Sequence, residues 1–203
     1  MKKKSDLSIE GIILINTIEN NYQVKIKRIR CDNAGESKSF EKEIIERKLK
    51  LIFKYTAANT PQQNSRAERK FATIYGRVRY MLTAAGVEGE WRKVLWPEAD
   101  NTAIDLMNIQ VPNKKLQTPH KKFSGREELP NYAKHLRPFG EIGIILRPNK
   151  MKSKIQHRGQ RAMMVKYGIQ NGVEVYRMYK FDTKNITRTR DIRLTNKMYR
   201  ESE

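Results

Sequence analysis

The alternation of apolar and polar positions divides the 203 residues into a mixed first half and a strand-rich last third. Asp6 or Ser8 is placed to cap a first helix, with Ile9, Ile12, Ile13 and Tyr22 on its apolar side and Gly11 weakening it. Val24–Cys31 follows, with Val24, Ile26 and Ile29 alternating with Lys25, Lys27, Arg28 and Arg30, as in a strand with one wet side. Asp32-Asn-Ala-Gly35 reads as a turn. Phe40, Ile44, Ile45 and Leu49 predict a second helix over Lys38–Lys50, and Leu51–Tyr55 a second strand. The order helix, strand, helix, strand indicates an α/β sheet.

A polar loop, Thr56–Asn64, precedes a long helix starting near Ser65. Its apolar positions are Ala67, Phe71, Ile74, Tyr75, Val78, Met81 and Leu82, the steps of one helical face. Gly86 and Gly89 break it. A further helix over Glu90–Gln110 carries Trp91, Val94, Leu95, Ala99, Ile104 and Met107, with Pro97 inside as a kink or a new start. Residues 112–138 are basic and punctuated by Pro and Gly, and read mostly as loop and linker. Short β-like runs follow at Ile142–Leu146, Ala162–Tyr167, Val173–Tyr179 and Ile186–Leu194. Asn171-Gly172 is a tight-hairpin signal and Asp182–Asn185 a second turn. The expected organisation is an α/β unit with trailing helices over 1–111, a basic linker over 112–138, and a small antiparallel β module over 139–203.

Charge changes this picture. The formal net charge is +20. Residues 1–110 carry 20 Lys and Arg against 14 Asp and Glu, while residues 111–203 carry 22 against 8. An excess of that size predicts affinity for polyanions, strongest in the second half, although any single lysine cluster is as well explained by solubility. Tyr167, Tyr176 and Tyr179 lie among these cations. Stacking on bases and ordinary core packing are both open to them. Cys31 is the one cysteine, so no internal disulfide forms, and the three histidines have no zinc-finger spacing. The longest apolar run, Ile12–Ile15, is too short to cross a membrane, and Met1–Asp6 does not read as a signal peptide. An intracellular, reducing compartment fits best.

Two acids invite a chemical reading. Asp32 directly follows a predicted strand, where α/β proteins place ligands. Glu68 lies in the first turn of the long helix, with 35 residues between the two. Converging carboxylates suit Mg²⁺, which wants hard oxygen ligands. The bland alternatives are a turn acid at Asp32 and a capping box over Ser65–Glu68.

The local strings weigh on that choice. Ile29-Arg-Cys-Asp-Asn-Ala-Gly-Glu36 resembles the R-S-D-N-G-G-E segment of copia-type retrotransposon integrases, and Thr60-Pro-Gln-Gln-Asn-Ser-Arg-Ala-Glu-Arg-Lys70 resembles their T-P-Q-Q-N-G-V-A-E-R-K segment. Trp96–Ala103, Lys115–Phe123, His135–Gly140 and Gly168–Leu194 are similar to later segments of that family, in the same order. The resemblance implies an α/β, RNase H-like core followed by helices and a small C-terminal antiparallel β module. It implies Mg²⁺ or Mn²⁺ held by Asp32 and Glu68, the second and third acids of a D,D-35-E site. It further implies DNA contacts through Gln62, Gln63, Asn64, Arg66, Arg69 and Lys70. Element ends and target duplex are the implied partners, with self-association, no membrane, and a nuclear location for a functional copy.

The family's first catalytic Asp sits on a strand ahead of the first helix seen here. Asp6 reads as a helix cap and not as its replacement. The expectation is therefore a core lacking its start, with two of three carboxylates, weak metal binding and no activity alone. The strand at Val24–Cys31 is expected to expose an unpaired edge and an uncovered apolar face. Ala34, where the family has Gly, is expected to be costly if that position needs positive φ. A non-enzymatic basic nucleic-acid-binding protein is the alternative, and dependence on Mg²⁺ or Mn²⁺ separates the two.

Overall fold

A computed structural model describes residues 6–56, 65–111, 116–146, 159–170 and 173–201. The chain forms two units, Met1–Lys70 and Phe71–Glu203, and the division falls inside a helix. The boundaries expected near 111 and 138 both lie within the second unit.

In the first unit, α1 (Leu7–Tyr22), β1 (Arg28–Cys31), α2 (Gly35–Glu46) and β2 (Ile52–Tyr55) follow in order. β1 and β2 pair in parallel, with Arg28 opposite Ile52 and Cys31 opposite Tyr55. Parallel pairing requires a crossover, and α2 supplies it. Ile12 and Ile15 of α1 meet Phe40 and Ile44 of α2, with Ile29 and Phe53 packed against them from the strands. Gly11 has a use here. A Cβ at that position would lie 2.6 Å from the Phe40 ring, so only glycine lets the ring rest on the helix. The expected apolar side of α1 was partly misplaced. Ile9 and Ile13 are exposed, and Ile15 is buried in their stead, because the helix turns its Ile12–Ile15 stripe toward Phe40.

β1 is shorter than expected. Gln23 adopts a left-handed conformation after α1, and the Glu19 carboxylate accepts the Ile26 N–H at 2.8 Å and Lys25 Nζ at 2.8 Å. That carboxylate thus holds residues 24–26 in a reversal and keeps them out of the strand. Among the described residues the sheet has only two strands, so each has an outer edge without a strand partner. The open face, however, is not apolar: Arg28, Arg30 and Lys54 are exposed on it, with Ile52 alone adding an apolar side chain.

α3 (Ser65–Ala84) leads into the second unit. Ile74, Val78 and Leu82 are buried, whereas Phe71 and Tyr75, expected on the same face, are exposed and stack on each other at 6.4 Å. Gly86 takes positive φ just past the end of α3, as expected, whereas Gly89, also at positive φ, is the first residue of the next helix. α4 (Gly89–Ile109) runs through Pro97 without a break. Residues 112–138 are not loop throughout. Thr118 accepts a bond from Lys121 N–H, Pro119 opens α5 (Pro119–Ser124), and Gly125 closes it at positive φ. A 3₁₀ turn covers Asn131–His135.

The rest is a five-stranded antiparallel sheet of β3 (Glu141–Leu146), β4 (Gly159–Gln170), β5 (Val173–Lys180), β6 (Ile186–Thr189) and β7 (Ile192–Met198), in the order β6-β5-β4-β3-β7. Asn171-Gly172 lies outside the described residues, but Gln170 pairs with Val173 across it, as a two-residue connection demands. The run Ile186–Leu194 is two strands. Asp191 N–H bonds the Thr189 hydroxyl and Ile192 N–H the Arg190 carbonyl, turning the chain so that β6 joins β5 and β7 joins β3.

α4 is fixed to the sheet by one stripe. Leu95, Ala99, Ala103 and Met107 are buried with Ile142, Met163, Val165 and Tyr179 of the sheet. Between these apolar positions stand Glu98, Thr102 and Asp105. Glu98 pairs with Arg177 of β5, and Asp105 lies 3.8 Å from Lys166 of β4. Thr102 donates to the Val165 carbonyl at 2.7 Å. The β4–β5 register shifts between Met164 and Lys166, so Val165 is a bulge residue, and the threonine satisfies its displaced carbonyl.

Candidate metal and nucleic-acid site

β1 ends at Cys31, whose carbonyl accepts the Thr56 N–H at 3.0 Å as the last rung of the parallel ladder. The next residue, Asp32, is exposed. Its Oδ1 accepts the Ser37 hydroxyl at 3.0 Å and the Ala34 N–H at 3.4 Å. Both bonds suit a turn acid leading into α2, so the local fold alone accounts for an acid at this place. They also hold one carboxylate oxygen in a set direction at the end of a strand. Ala34 has φ −73° and ψ 156°, an extended conformation open to any residue, so alanine costs nothing there.

Around Asp32 the chemistry is quiet. Burial pushes the Cys31 thiol up from its ordinary value, which leaves it protonated and a poor metal ligand. Burial likewise holds the Tyr55 phenol well above its ordinary range, and its hydroxyl donates to Glu41 Oε2 at 2.6 Å.

Glu68 is exposed in the first turn of α3. The capping-box alternative involves the Ser65 side chain, which lies outside the described residues. Arg69 and Lys70 are exposed on the same turns. Gln62, Gln63 and Asn64 lie outside the described residues, as does the side chain of Arg66. Among the described residues no group of three or more His, Cys, Asp and Glu side chains gathers as a metal site would require. The donor chemistry of Asp32 and Glu68 fits a hard divalent cation, but the described residues add no third acid to them.

The aromatic residues of the second half resolve in favour of packing. Tyr167 and Tyr179 are buried in the cores on opposite faces of the sheet. Tyr176 is the cross-strand neighbour of Tyr167, and each donates its hydroxyl to a backbone carbonyl, of His135 and Arg137 respectively. A cleft of about 460 Å³ opens beside them, with Asp105, Glu128 and Glu174 facing Arg126 and His120. Burial raises the Asp105 carboxyl above its ordinary value, against the pull of Lys166. A cleft lined by both signs is unlike a phosphate-binding surface. The β1–β2 face, with three exposed cations and no acid among its strand positions, extends the expected wet side of the first strand onto β2 through Lys54. Its signal was present in the sequence as the alternation of Ile29 with Arg28 and Arg30.

No helix among the described residues is long and apolar enough to cross a membrane. No family model matches the chain. Over 188 residues it is 31% identical to the retrovirus-related Pol polyprotein from transposon TNT 1-94 of Nicotiana tabacum, a match covering 92% of this chain and 13% of that polyprotein. Over 141 residues it is 31% identical to the Pol polyprotein from transposon RE2 of Arabidopsis thaliana and 30% identical to that from RE1, covering 69% of this chain and 9% of each relative. Among solved structures it is similar to a chain of the simian T-cell lymphotropic virus intasome in complex with PP2A regulatory subunit B56 gamma. That match has a TM-score of 0.45 and 13% identity, and covers 93% of this chain and 64% of the other. The curated relatives establish descent: the chain is a homologue, over most of its length, of the retrovirus-related Pol polyproteins of plant transposons, and spans about a tenth of theirs.

Proposed function

We propose that this chain is part of a copia-type transposon integrase, that it binds DNA, and that Asp32 and Glu68 are two of the three carboxylates of its phosphodiester-joining site. The likeness to the tobacco Pol polyprotein across 92% of the chain carries this reading. The placement of Asp32 at a strand end and Glu68 in the first turn of a helix supports it. In this reading residues 1–70 belong to an RNase H-like core, and the basic second half engages phosphates of element ends and target duplex. Self-association and a nuclear location follow for a working integrase.

Asp32 and Glu68 would hold Mg²⁺ or Mn²⁺ through hard carboxylate oxygens. Bound there, the ions supply Lewis acidity for activating a water or a 3′-hydroxyl and for stabilising the leaving oxygen in end processing and strand transfer. The chain's own contribution is orientation: Ser37 and the Ala34 N–H fix one oxygen of Asp32 before any ion arrives. Two carboxylates make an incomplete ligand set, so residues 1–203 alone bind metal weakly and do not join DNA.

The test is nicking and strand transfer on end-mimicking duplex DNA with Mg²⁺ or Mn²⁺, using the 203-residue chain and its Glu68→Gln variant. The expected result is salt-sensitive DNA binding by both proteins and no reaction by either. Nicking that disappears in Glu68→Gln would prove the ligand set complete and refute the inactivity. Absence of duplex binding at low salt would remove the DNA reading altogether.

A further inference from the structure

The open face of the β1–β2 sheet has a composition that the fold does not explain. Arg28 and Arg30 occupy alternate positions of β1, and Lys54 stands opposite Arg30 on β2. All three are exposed, and none makes an ion pair among the described residues. Neighbouring positions on one strand face lie about 6.6 Å apart, and paired strands about 4.8 Å apart. Three cationic side chains are therefore rooted within about 8 Å of each other on one rigid backbone. Such crowding costs free energy unless a polyanion neutralises it. The opposite face of the same strands is occupied, since Ile29 and Phe53 pack against α1 and α2.

The direction of this cation row matters. β1 runs from Arg28 to Cys31 and Asp32 follows it directly, so the cation row ends beside the strand end that carries Asp32, whose own carboxylate accepts the Ser37 hydroxyl of α2. We infer that the Arg28–Arg30–Lys54 face binds a nucleic-acid phosphate backbone and leads it along β1 toward Asp32. This rests on the reading of the chain as a DNA-binding part of an integrase, and adds to it the surface on which the strand lies. Charge complementarity selects the occupant. The face offers cations at regular spacing and a single apolar residue, Ile52, which suits a repeating anion rather than a protein surface.

The experiment is duplex binding by fluorescence anisotropy as a function of salt, with the full chain. Arg28→Gln, Arg30→Gln and Lys54→Gln are combined in one variant. A second variant, Lys38→Gln with Lys42→Gln and Lys50→Gln, removes the same charge from exposed positions in and just beyond α2, the helix on the other face. A third, Arg28→Lys with Arg30→Lys and Lys54→Arg, keeps the charge. Each phosphate contact contributes about 0.9 to the slope of log K against log salt. The sheet-face variant is expected to lose about 2.7 from that slope, the α2 variant less than about 1, and the charge-conserving variant next to nothing. Wild-type binding with an unchanged slope in the sheet-face variant overturns this inference and leaves the DNA reading intact. Equal losses in the first two variants overturn it as well, by assigning the effect to net charge. A slope lost in the charge-conserving variant would do the same, since a fold defect would then explain the result. If the wild-type chain binds no duplex, the inference falls together with the function on which it rests.

Discussion

The two units solve the problem of stability with unequal means. Among the described residues, the first has two short parallel strands and a core of four buried apolar side chains, Ile12, Ile15, Phe40 and Ile44. The second has five strands, a helix clamped across them, and buried side chains on both faces of its sheet. Two strands alone are marginal in water, and parallel sheets are ordinarily covered on both sides. The proposed catalytic acids thus sit in the thinner unit, or at its boundary, while the larger core stands elsewhere. The lesson is that motif density and structural robustness are separate properties. The strings that resemble an integrase most closely, around Asp32 and Glu68, lie where the least apolar surface is buried.

The strongest way to break this comparison is to empty the small core. Phe40→Ala removes the ring that touches α1 through Gly11 and meets Phe53 edge-on at 5.6 Å. A loss of about 3–5 kcal/mol is expected. Hydrogen exchange should then show protection lost over β1 and β2 and kept over β3–β7. Simultaneous loss in both units would mean that they fold as one, and that the contrast drawn between them is wrong.

A smaller effect probes the larger unit. Thr102→Val keeps the side-chain shape but removes the hydroxyl that satisfies the bulged Val165 carbonyl. Leaving a buried carbonyl unpaired costs about 1–3 kcal/mol. Urea unfolding followed by Trp91, which packs against Tyr179 and Phe181, reads this directly. An unchanged midpoint would show that α4 is held by its apolar stripe alone.

The smallest expected effect concerns pH. Burial raises the Asp105 carboxyl in the folded state, so the folded chain holds its proton more tightly than the unfolded chain does. The stability gained this way is fully present below the ordinary carboxylate value, and is lost as pH rises through the higher folded value. Asp105→Asn removes this contribution, so the unfolding midpoint of the variant should fall more steeply on the acid side than that of wild type. An identical limb in wild type and variant would assign that dependence to other groups. The pair with Lys166 at 3.8 Å works against the effect, which is why a modest change is expected.

Much of the element order was readable beforehand because periodicity is a local property. The helical spacing of Ile74, Val78 and Leu82 and the Asn171-Gly172 hairpin both act over a few residues. Within residues 112–138 the short α5 left no signal in the pattern, since a one-and-a-half-turn helix leaves little periodic trace. The α4 stripe escaped for a different reason. Glu98, Thr102 and Asp105 look like ordinary surface residues until β4 and β5 bring Arg177, Val165 and Lys166 to them. The string Trp96–Ala103, legible only as a family likeness, contains two of those three anchors, so its physical content is helix docking.

The sequence by itself determined the sequence of helices and strands, the excess of positive charge, and the position of Asp32 after a strand and of Glu68 in a helical first turn. These depend on neighbours in the chain. The tertiary structure alone decided that Ile15 is buried while Ile9, Ile13, Phe71 and Tyr75 are exposed. It also decided that β1 and β2 run parallel, that Ile186–Leu194 splits between two edges of one sheet, and that Arg28, Arg30 and Lys54 share an open face. An apolar side chain has no preferred burial until a partner surface reaches it, and a charge has no patch until a second strand brings its neighbours alongside.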